Sequence, residues 1–272
     1  MGCSTDHGAL AGRFIALEGG DGAGKSTHLK MLAQALRGAG YVDQPGCPRL
    51  VVTREPGGTE LGNQIRELVL YGGEVAPAAE ALLYAADRAQ HVTTVLRPAL
   101  ARADLVLTDR YLDSSIAYQA EGRGLTEDVI RSINAVATGG LTPDLVIVLD
   151  IEPEAATTRR HGSGDPADRV EQAGEAFHSK VNRRYRELAA ADPDRYVMVD
   201  ATGPKEEVHE RIWAAVRKLA AAGPRRPPDN SIPSATDKPS CSVSGGGIFA
   251  PAAGIESEAV TQEVPRAEGR GQ

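Results

Sequence analysis

Short apolar runs alternate with segments of helical periodicity from residue 13 to residue 221. Five runs are apolar at consecutive positions and contain β-branched residues, which predicts strands at residues 14–17, 50–52, 105–107, 145–149 and 196–199. Between them, apolar residues recur at helical spacing, which predicts helices at residues 27–36, 61–69, 78–103, 127–137, 171–190 and 205–221. Strands that are apolar on both faces and alternate with helices form a parallel sheet that is covered on both sides. The pattern therefore predicts a three-layer α/β/α sandwich with a five-stranded parallel sheet, and a binding site at the carboxyl ends of its strands.

A glycine-rich stretch, GGDGAGKST at residues 19–27, follows the first predicted strand and precedes the first predicted helix. It matches the GxxxxGK(S/T) pattern, in which glycines let backbone N–H groups approach phosphate oxygens at the positive end of a helix. In such a loop Lys25 reaches the β- and γ-phosphates, and the Ser26 hydroxyl is a Mg²⁺ ligand. The stretch predicts a P-loop NTPase fold and a set of nucleotide-binding residues: Gly19, Gly20, Asp21, Gly22, Ala23, Gly24, Lys25, Ser26 and Thr27.

A pair of charged residues, Asp109 and Arg110, directly follows the third predicted strand. At that edge of the sheet Asp109 is placed to order Mg²⁺ and its waters, and the forked guanidinium of Arg110 to bind a second phosphate group. A structural ion pair between these neighbours is the alternative. The chain contains no Asn-Lys-x-Asp tetrapeptide, which a GTPase uses to read guanine, so a small kinase is favoured over a GTPase switch.

Composition and charge limit the partners of this chain. Its net charge of −7 argues against a protein that coats a nucleic acid polymer, since such binding relies on Lys and Arg that neutralise phosphates. No apolar run approaches the roughly 18 residues that a membrane span requires, so no membrane partner is predicted. Cys3, Cys47 and Cys241 are too scattered for a disulfide framework, which favours a reducing, cytoplasmic location.

The two ends of the chain differ from the segment between them. Residues 1–12 precede the first predicted strand and are predicted to be a flexible N-terminus, and residues 13–222 are predicted to form one domain. Residues 223–272 contain no Leu and a single aromatic residue, Phe249, and are rich in Pro, Gly and Ser. Such a segment buries too little apolar surface to offset the entropy lost on ordering, which predicts a disordered tail.

Several motifs occur in order along the chain. They are FIALEGGDGAGKST at residues 14–27, TREPGGT at 53–59, YAADR at 84–88, DRYLDSSIAYQ at 109–119 and PDLVIVLD at 143–150. In this order they resemble the bacterial thymidylate kinases, which are P-loop nucleoside monophosphate kinases. The resemblance covers roughly residues 13–220, and the second and fourth motifs are not shared by P-loop kinases at large.

The resemblance implies transfer of the γ-phosphoryl group of ATP to dTMP with Mg²⁺, giving dTDP and ADP in dTTP biosynthesis. It implies that the nucleotide-binding stretch holds ATP, that Ser26 and Asp109 act on the metal, and that Asp21, Lys25 and Arg110 are catalytic. The residues for which it implies contact with dTMP are Arg54, Pro56, Tyr84, Arg88, Arg110, Ser115, Tyr118 and Gln119.

Individual roles at the acceptor side also follow from the resemblance. Tyr84 would stack on thymine, and Arg88 would hold the base and orient the monophosphate. Tyr118 would crowd the 2′ position of the sugar, and Asp21 would lie near the 3′-hydroxyl. From the residues alone, Tyr84 as a core side chain and Arg88 as the ion-pair partner of Glu80 or Asp87 remain alternatives.

One position in the P-loop bears on how charge is supplied to the reaction. Members of this family carry either an Arg after the acidic P-loop residue or an Arg in a mobile lid. Gly22 occupies the P-loop position here, so the resemblance assigns the Arg to a lid at residues 159–169, RRHGSGDPADR. Arg159, Arg160 and Arg169 are candidates, with Arg160 and Arg169 favoured as catalytic, and a solvated loop whose arginines cap helix ends is the alternative.

The resemblance further implies a homodimer formed through helices beside the sheet, with residues 78–103 as a participant. Two other functions stay open at this point. One is another small-molecule kinase on the same scaffold, and the other is a nucleotide-binding regulatory protein without turnover. The presence of Lys25, Arg88, Asp109 and Arg110 argues against the regulatory protein.

Overall fold

The computed structural model describes residues 7–161 and 168–222. Its strands form one parallel sheet in the order β2-β3-β1-β4-β5. The strands are β1 Phe14–Gly19, β2 Leu50–Arg54, β3 Leu105–Asp109, β4 Leu145–Asp150 and β5 Tyr196–Asp200. Each ends one or two residues beyond its predicted end, because the backbone ladder continues through polar residues, as in the pairing of Arg54 with Asp109. The predicted five-stranded parallel sheet is confirmed.

Helices connect and cover the strands. They are α1 Lys25–Gly38, α2 Glu60–Tyr71, α3 Pro77–His91, α4 Arg97–Ala101, α5 Leu112–Ser115, α6 Glu127–Thr138, α7 Pro153–His161, α8 Glu175–Ala191 and α9 Lys205–Ala221. The helix predicted over 78–103 contains a π-helical stretch, Val92–Leu96, between α3 and α4. The helix predicted over 171–190 starts four residues late, because Gly174 adopts a φ of 88° after the 3₁₀ turn Glu171–Ala173. Helix α7 and the run of α5 into π-helical Ile116–Gly122 were not predicted.

Apolar side chains fill the space on both faces of the sheet. On β1, Ile15 and Leu17 pack in the cluster that contains α1 and α9, whereas Phe14 and Ala16 pack on the opposite face. On β4, Val146 and Val148 pack against α8. Alternate residues of one strand thus face two helical layers, which confirms the three-layer α/β/α architecture.

The first described residues belong to the folded domain. His7–Leu10 form a 3₁₀ turn, and Leu10 is completely buried in the cluster that contains α9. The flexible start predicted for residues 1–12 is therefore corrected for residues 7–12, because Leu10 completes an apolar cluster that the local sequence does not reveal. Residues 1–6, residues 162–167 of the predicted lid and the predicted tail 223–272 lie outside the described residues.

No helix within residues 7–161 and 168–222 combines the length and the apolar composition that crossing a membrane requires.

Candidate active site

A cavity of about 840 Å³ opens at the carboxyl ends of the strands. It is lined by the P-loop, the TREPGG loop after β2, helix α3, the segment after β3 and residues on both sides of 162–167. The predicted site residues that line it are Asp21, Gly22, Gly24, Lys25, Ser26, Thr27, Arg54, Pro56, Tyr84, Arg88, Asp109, Arg110, Ser115, Tyr118 and Gln119. Gly19, Gly20 and Ala23 belong to the P-loop without lining the cavity. The fold thus brings the residues predicted for the donor side and for the acceptor side together around one cavity.

The P-loop is held in shape by its own lysine and by two positions that only glycine fits. Lys25 Nζ donates to the carbonyl oxygens of Gly19 at 3.1 Å and Gly20 at 2.7 Å. Gly24 has a φ of 92°, and a Cβ at Gly19 would lie 2.5 Å from the Leu149 carbonyl oxygen, so glycine is required at both. Burial, together with the Arg110 guanidinium, lowers the pKa of Lys25 to about 8.

Two oxygen-bearing side chains converge beside the P-loop. Ser26 Oγ, in the first turn of α1, donates to Asp109 Oδ2 at the end of β3 over 2.5 Å. Within residues 7–161 and 168–222, no group of three or more His, Cys, Asp or Glu residues is arranged to hold a metal alone. Mg²⁺ is usually bound through one or two carboxylates together with substrate phosphates and waters, so the pair Ser26 and Asp109 fits this ion.

Arg110 lies between the P-loop and the acceptor side of the cavity. Its Nη2 forms an ion pair with Asp21 and donates to Tyr118 OH at 3.1 Å, and its Nη1 donates to the Gly19 carbonyl oxygen at 3.1 Å. Tyr118 OH in turn donates to Asp21 Oδ2 at 2.8 Å. Burial alone would raise the pKa of Asp21, but Arg110 and Lys25 hold it below the ordinary value. Asp21 is therefore ionised and Arg110 is cationic at neutral pH.

Arg88 is fixed at the floor of the cavity. Its Nε donates to Glu55 Oε2 at 2.8 Å and its Nη1 to Ser115 Oγ at 2.9 Å, while Nη2 donates to the Tyr111 carbonyl oxygen at 3.0 Å. Its ion-pair partner is Glu55 rather than Glu80 or Asp87, because the end of β2 lies against the end of α3, where Thr53 Oγ1 is 2.7 Å from His91 Nε2, and Glu55 directly follows β2. The Arg88 side chain is 2% exposed, so its orientation is set before substrate arrives.

The other residues predicted for the acceptor side also line the cavity. Tyr84, half-buried on α3, has its pKa raised by burial and by the nearby Glu80. Gln119 is buried, and its Nε2 donates to Glu80 Oε1 at 3.1 Å. Arg54 is exposed at the rim, next to buried Pro56.

The part of the chain that contains the site matches a known protein family. The family model described as thymidylate kinase matches residues 17–212. A thymidylate kinase of Deinococcus radiodurans is 50% identical over 206 residues, which cover 75% of this chain and 96% of the relative. Those of Clavibacter michiganensis subsp. michiganensis and a Synechococcus species are 49% and 48% identical and cover 79% and 78% of this chain, with 99% of each relative.

The chain belongs to the thymidylate kinase family. This confirms the family to which the motifs pointed, and with it the P-loop kinase fold. The comparisons favour neither a different small-molecule kinase nor a regulatory protein.

Of the arginines predicted in the lid of this thymidylate kinase family member, Arg159 lines the cavity and Arg169 does not. Arg169 does not line the cavity, since its Nη2 forms an ion pair with Glu80 and donates to the Val69 carbonyl oxygen at 2.8 Å. This contact ties the segment after 167 to α2 and α3, and it does not support the prediction that Arg169 is catalytic. Arg159 lines the cavity and donates to the Ala201 carbonyl oxygen at 2.9 Å, whereas the Arg160 side chain lies outside the described residues.

Several residues of the site were missed from the sequence. Glu55 and His91 are buried and hydrogen-bonded to each other at 2.8 Å, and Glu55 also holds Arg88. Two features of the sequence could have indicated these residues. Glu55 lies inside the TREPGG motif, and His91 lies one helical turn after Arg88. Among the other lining residues, His28 directly follows the P-loop and Asp168 lies in the predicted lid. No local signal indicated Glu171, Gly203, Pro204 and Lys205, which chain-distant segments bring to the cavity.

Proposed function

We propose that this protein transfers the γ-phosphoryl group of ATP to dTMP, giving dTDP and ADP, in the cytoplasm. Its membership of the thymidylate kinase family supports the reaction. The observation that carries the proposal is the position of Arg110, whose guanidinium contacts the P-loop carbonyl of Gly19 on one side and the acceptor-side residue Tyr118 on the other. Phosphoryl transfer depends mainly on alignment and on charge neutralisation, and this arrangement supplies both between the two nucleotides.

The donor side of the proposed reaction is the P-loop. The backbone N–H groups of residues 19–27 surround the ATP phosphates, and the ammonium of Lys25 reaches the β- and γ-phosphates. Ser26 and Asp109 would hold Mg²⁺, which would neutralise part of the phosphate charge. Arg159 or Arg160 would add positive charge from the lid side of the cavity.

The acceptor side holds dTMP in the proposal. Arg110 binds its phosphate, and Tyr84 stacks on thymine while Arg88, Ser115 and Gln119 line the base pocket. Tyr118 crowds the 2′ position of the sugar. Its hydrogen bond to Asp21 supports the proposal that Tyr118 and Asp21 both lie beside the sugar. Arg54 and Pro56 close this side.

The reaction is tested by ADP release from MgATP with dTMP, dUMP, dCMP, AMP, GMP or shikimate as the acceptor. Among these acceptors, we expect fast turnover only with dTMP. We also expect equal rates for the full chain and for a chain shortened to end at Ala222. Turnover only with another acceptor would overturn the pocket assignments, and ATP binding without turnover would favour the regulatory function.

We also propose that the protein is a homodimer. Large apolar side chains are exposed on three adjacent helices, α2, α3 and α6, and the most exposed is Val136 at 87%. The set consists of Leu61, Leu68, Tyr71, Leu82, Val129 and Val136. Exposed apolar residues on neighbouring helices are typical of protein interfaces, and Leu82 lies in the segment 78–103 that the family resemblance implicates.

The dimer prediction has a matched control. Because Val136 is exposed in the single chain, Val136→Glu is expected to leave the fold intact and to convert the dimer to a monomer by burying a charge in the interface. Met198→Glu, at an exposed apolar residue on β5, is expected to leave the dimer unchanged. Size-exclusion chromatography with light scattering measures both, and a wild-type monomer at micromolar concentration would contradict the proposal.

A further inference from the structure

Glu18 is a carboxylate in the core of the protein. It is the penultimate residue of β1, directly before the P-loop, and its exposed fraction is 0%. Burial, together with the nearby carboxyl of Asp113, raises the pKa of Glu18 to about 7. A carboxyl group is costly to place in such a position unless its oxygens are hydrogen-bonded. Glu18 does not line the cavity, so contact with substrate does not account for it.

One Glu18 oxygen holds the backbone next to Arg110. Arg110 has a φ of 70°, in the left-handed region that non-glycine residues seldom occupy. The peptide N–H groups on either side of its Cα are both bound by β1: Arg110 N donates to the Leu17 carbonyl oxygen at 2.9 Å, and Tyr111 N donates to Glu18 Oε1 at 2.7 Å. Consecutive residues of β1 thus fix the direction in which the Arg110 side chain leaves the backbone.

The other Glu18 oxygen orients two hydroxyl groups. Ser114 Oγ donates to Glu18 Oε2 at 2.7 Å, and Tyr185 OH donates to the same oxygen at 2.8 Å. A hydroxyl has one proton and two lone pairs, and above its pKa of about 7 Glu18 is an ionised carboxylate that only accepts. In that state each hydroxyl gives its proton to Glu18, although the two hydroxyl oxygens also lie 2.9 Å apart, and each accepts from Arg110 Nη1, at 3.0 Å for Ser114 and 3.4 Å for Tyr185.

We propose that Glu18 is a positioning residue for Arg110: one carboxylate oxygen fixes its backbone and the other orients the hydroxyls that hold its guanidinium toward the acceptor phosphate. The inference rests on the acceptor-phosphate role proposed for Arg110. Glu18 therefore acts on dTMP use through Arg110, without touching either nucleotide.

The test is a double-mutant cycle on the full chain at about pH 8, where Glu18 is mostly ionised, with Glu18→Gln, Arg110→Ala and the combined variant. Glutamine keeps the shape of the side chain but replaces one accepting oxygen with an N–H₂ group that donates, which disturbs the hydroxyl orientation. We expect Glu18→Gln to lower kcat/KM for dTMP roughly 10- to 100-fold, the size associated with hydrogen bonds to charged groups, with KM for ATP changed by less than about threefold. In the Arg110→Ala background, Glu18→Gln is expected to cost less than about twofold, since residues that act through one another are not additive.

A matched control is a buried carboxylate at the opposite end of β3. Asp104 is 3% exposed, directly precedes β3 and forms an ion pair with Arg102 at 2.8 Å. Asp104→Asn is expected to leave the ratio of kcat/KM for dTMP to kcat/KM for ATP unchanged. If Glu18→Gln fails to fold, Ser114→Ala and Tyr185→Phe each remove one oriented hydroxyl and should reproduce part of the selective loss.

The outcomes separate this proposal from the one on which it rests. Arg110→Ala with normal use of dTMP would overturn the role of Arg110 and, with it, that of Glu18. A large loss in Arg110→Ala together with an undiminished Glu18→Gln effect in the same background would overturn only the positioning role. Equal losses of kcat/KM for dTMP and of kcat/KM for ATP in Glu18→Gln would also overturn only the positioning role.

Discussion

Replacing Arg110 with alanine is expected to lower kcat/KM for dTMP by about 10³-fold, because removal of a single preorganised charge or donor at a transition state has effects of this order. The guanidinium joins Asp21, Tyr118 and the Gly19 carbonyl at the point where the two nucleotides meet. Without it, the ionised Asp21 carboxylate would face the dianionic acceptor phosphate with no cation between them. Steady-state kinetics with dTMP varied at saturating MgATP measure the effect.

Arg110→Lys is the conservative variant for this prediction. Lysine keeps the positive charge but has no planar fork, so it cannot bind Asp21, Tyr118 and Gly19 together with a phosphate. We expect it to recover only part of the activity lost in Arg110→Ala. A kcat/KM for dTMP within tenfold of the wild-type value in Arg110→Ala would refute the central position given to Arg110.

Replacing Lys25 with alanine is expected to lower kcat by about 10³-fold, again the order found for one lost electrostatic contact in a transition state. Lys25 is the buried cation of the P-loop, and it also bridges the Gly19 and Gly20 carbonyl oxygens that shape the loop. Lys30→Ala, at an exposed lysine on the same helix, is the control and should have nearly wild-type activity. Loss of less than tenfold in Lys25→Ala would show that the P-loop lysine is dispensable here.

The same lysine predicts a pH dependence in the wild-type protein. Its pKa is lowered to about 8, so the free protein has an ammonium below that pH and a neutral amine above it. We therefore expect kcat/KM for ATP to fall as pH rises through about 8. Bound phosphates favour the charged form, so the corresponding fall in kcat should occur at higher pH. A profile for kcat/KM that stays flat to pH 10 would contradict the assignment.

Much of the fold was predictable because its signals are local. The strand that starts at Leu105 and the loop between β1 and α1 each carry their pattern within a dozen residues. The strand was predicted from its observed start and two residues short of its observed end, and the loop was predicted between the first strand and the first helix, where it lies. The late start of α8 depends on Gly174, whose φ of 88° interrupts a segment that otherwise has helical spacing. The burial of Leu10 depends on α9, almost two hundred residues later in the chain, and no local pattern reports such a contact.

The sequence by itself determined the alternation of strands and helices, the phosphate-binding loop and the family, because periodicity and short motifs are properties of neighbouring residues. Only the tertiary structure decided which charges meet. The parallel register that pairs Leu17 with Asp109 brings Glu18 beside Tyr111, and the packing of α8 adds Tyr185 to the same carboxylate. The same dependence on long-range packing pairs Arg169 with Glu80 on α3, and Arg169 does not line the cavity.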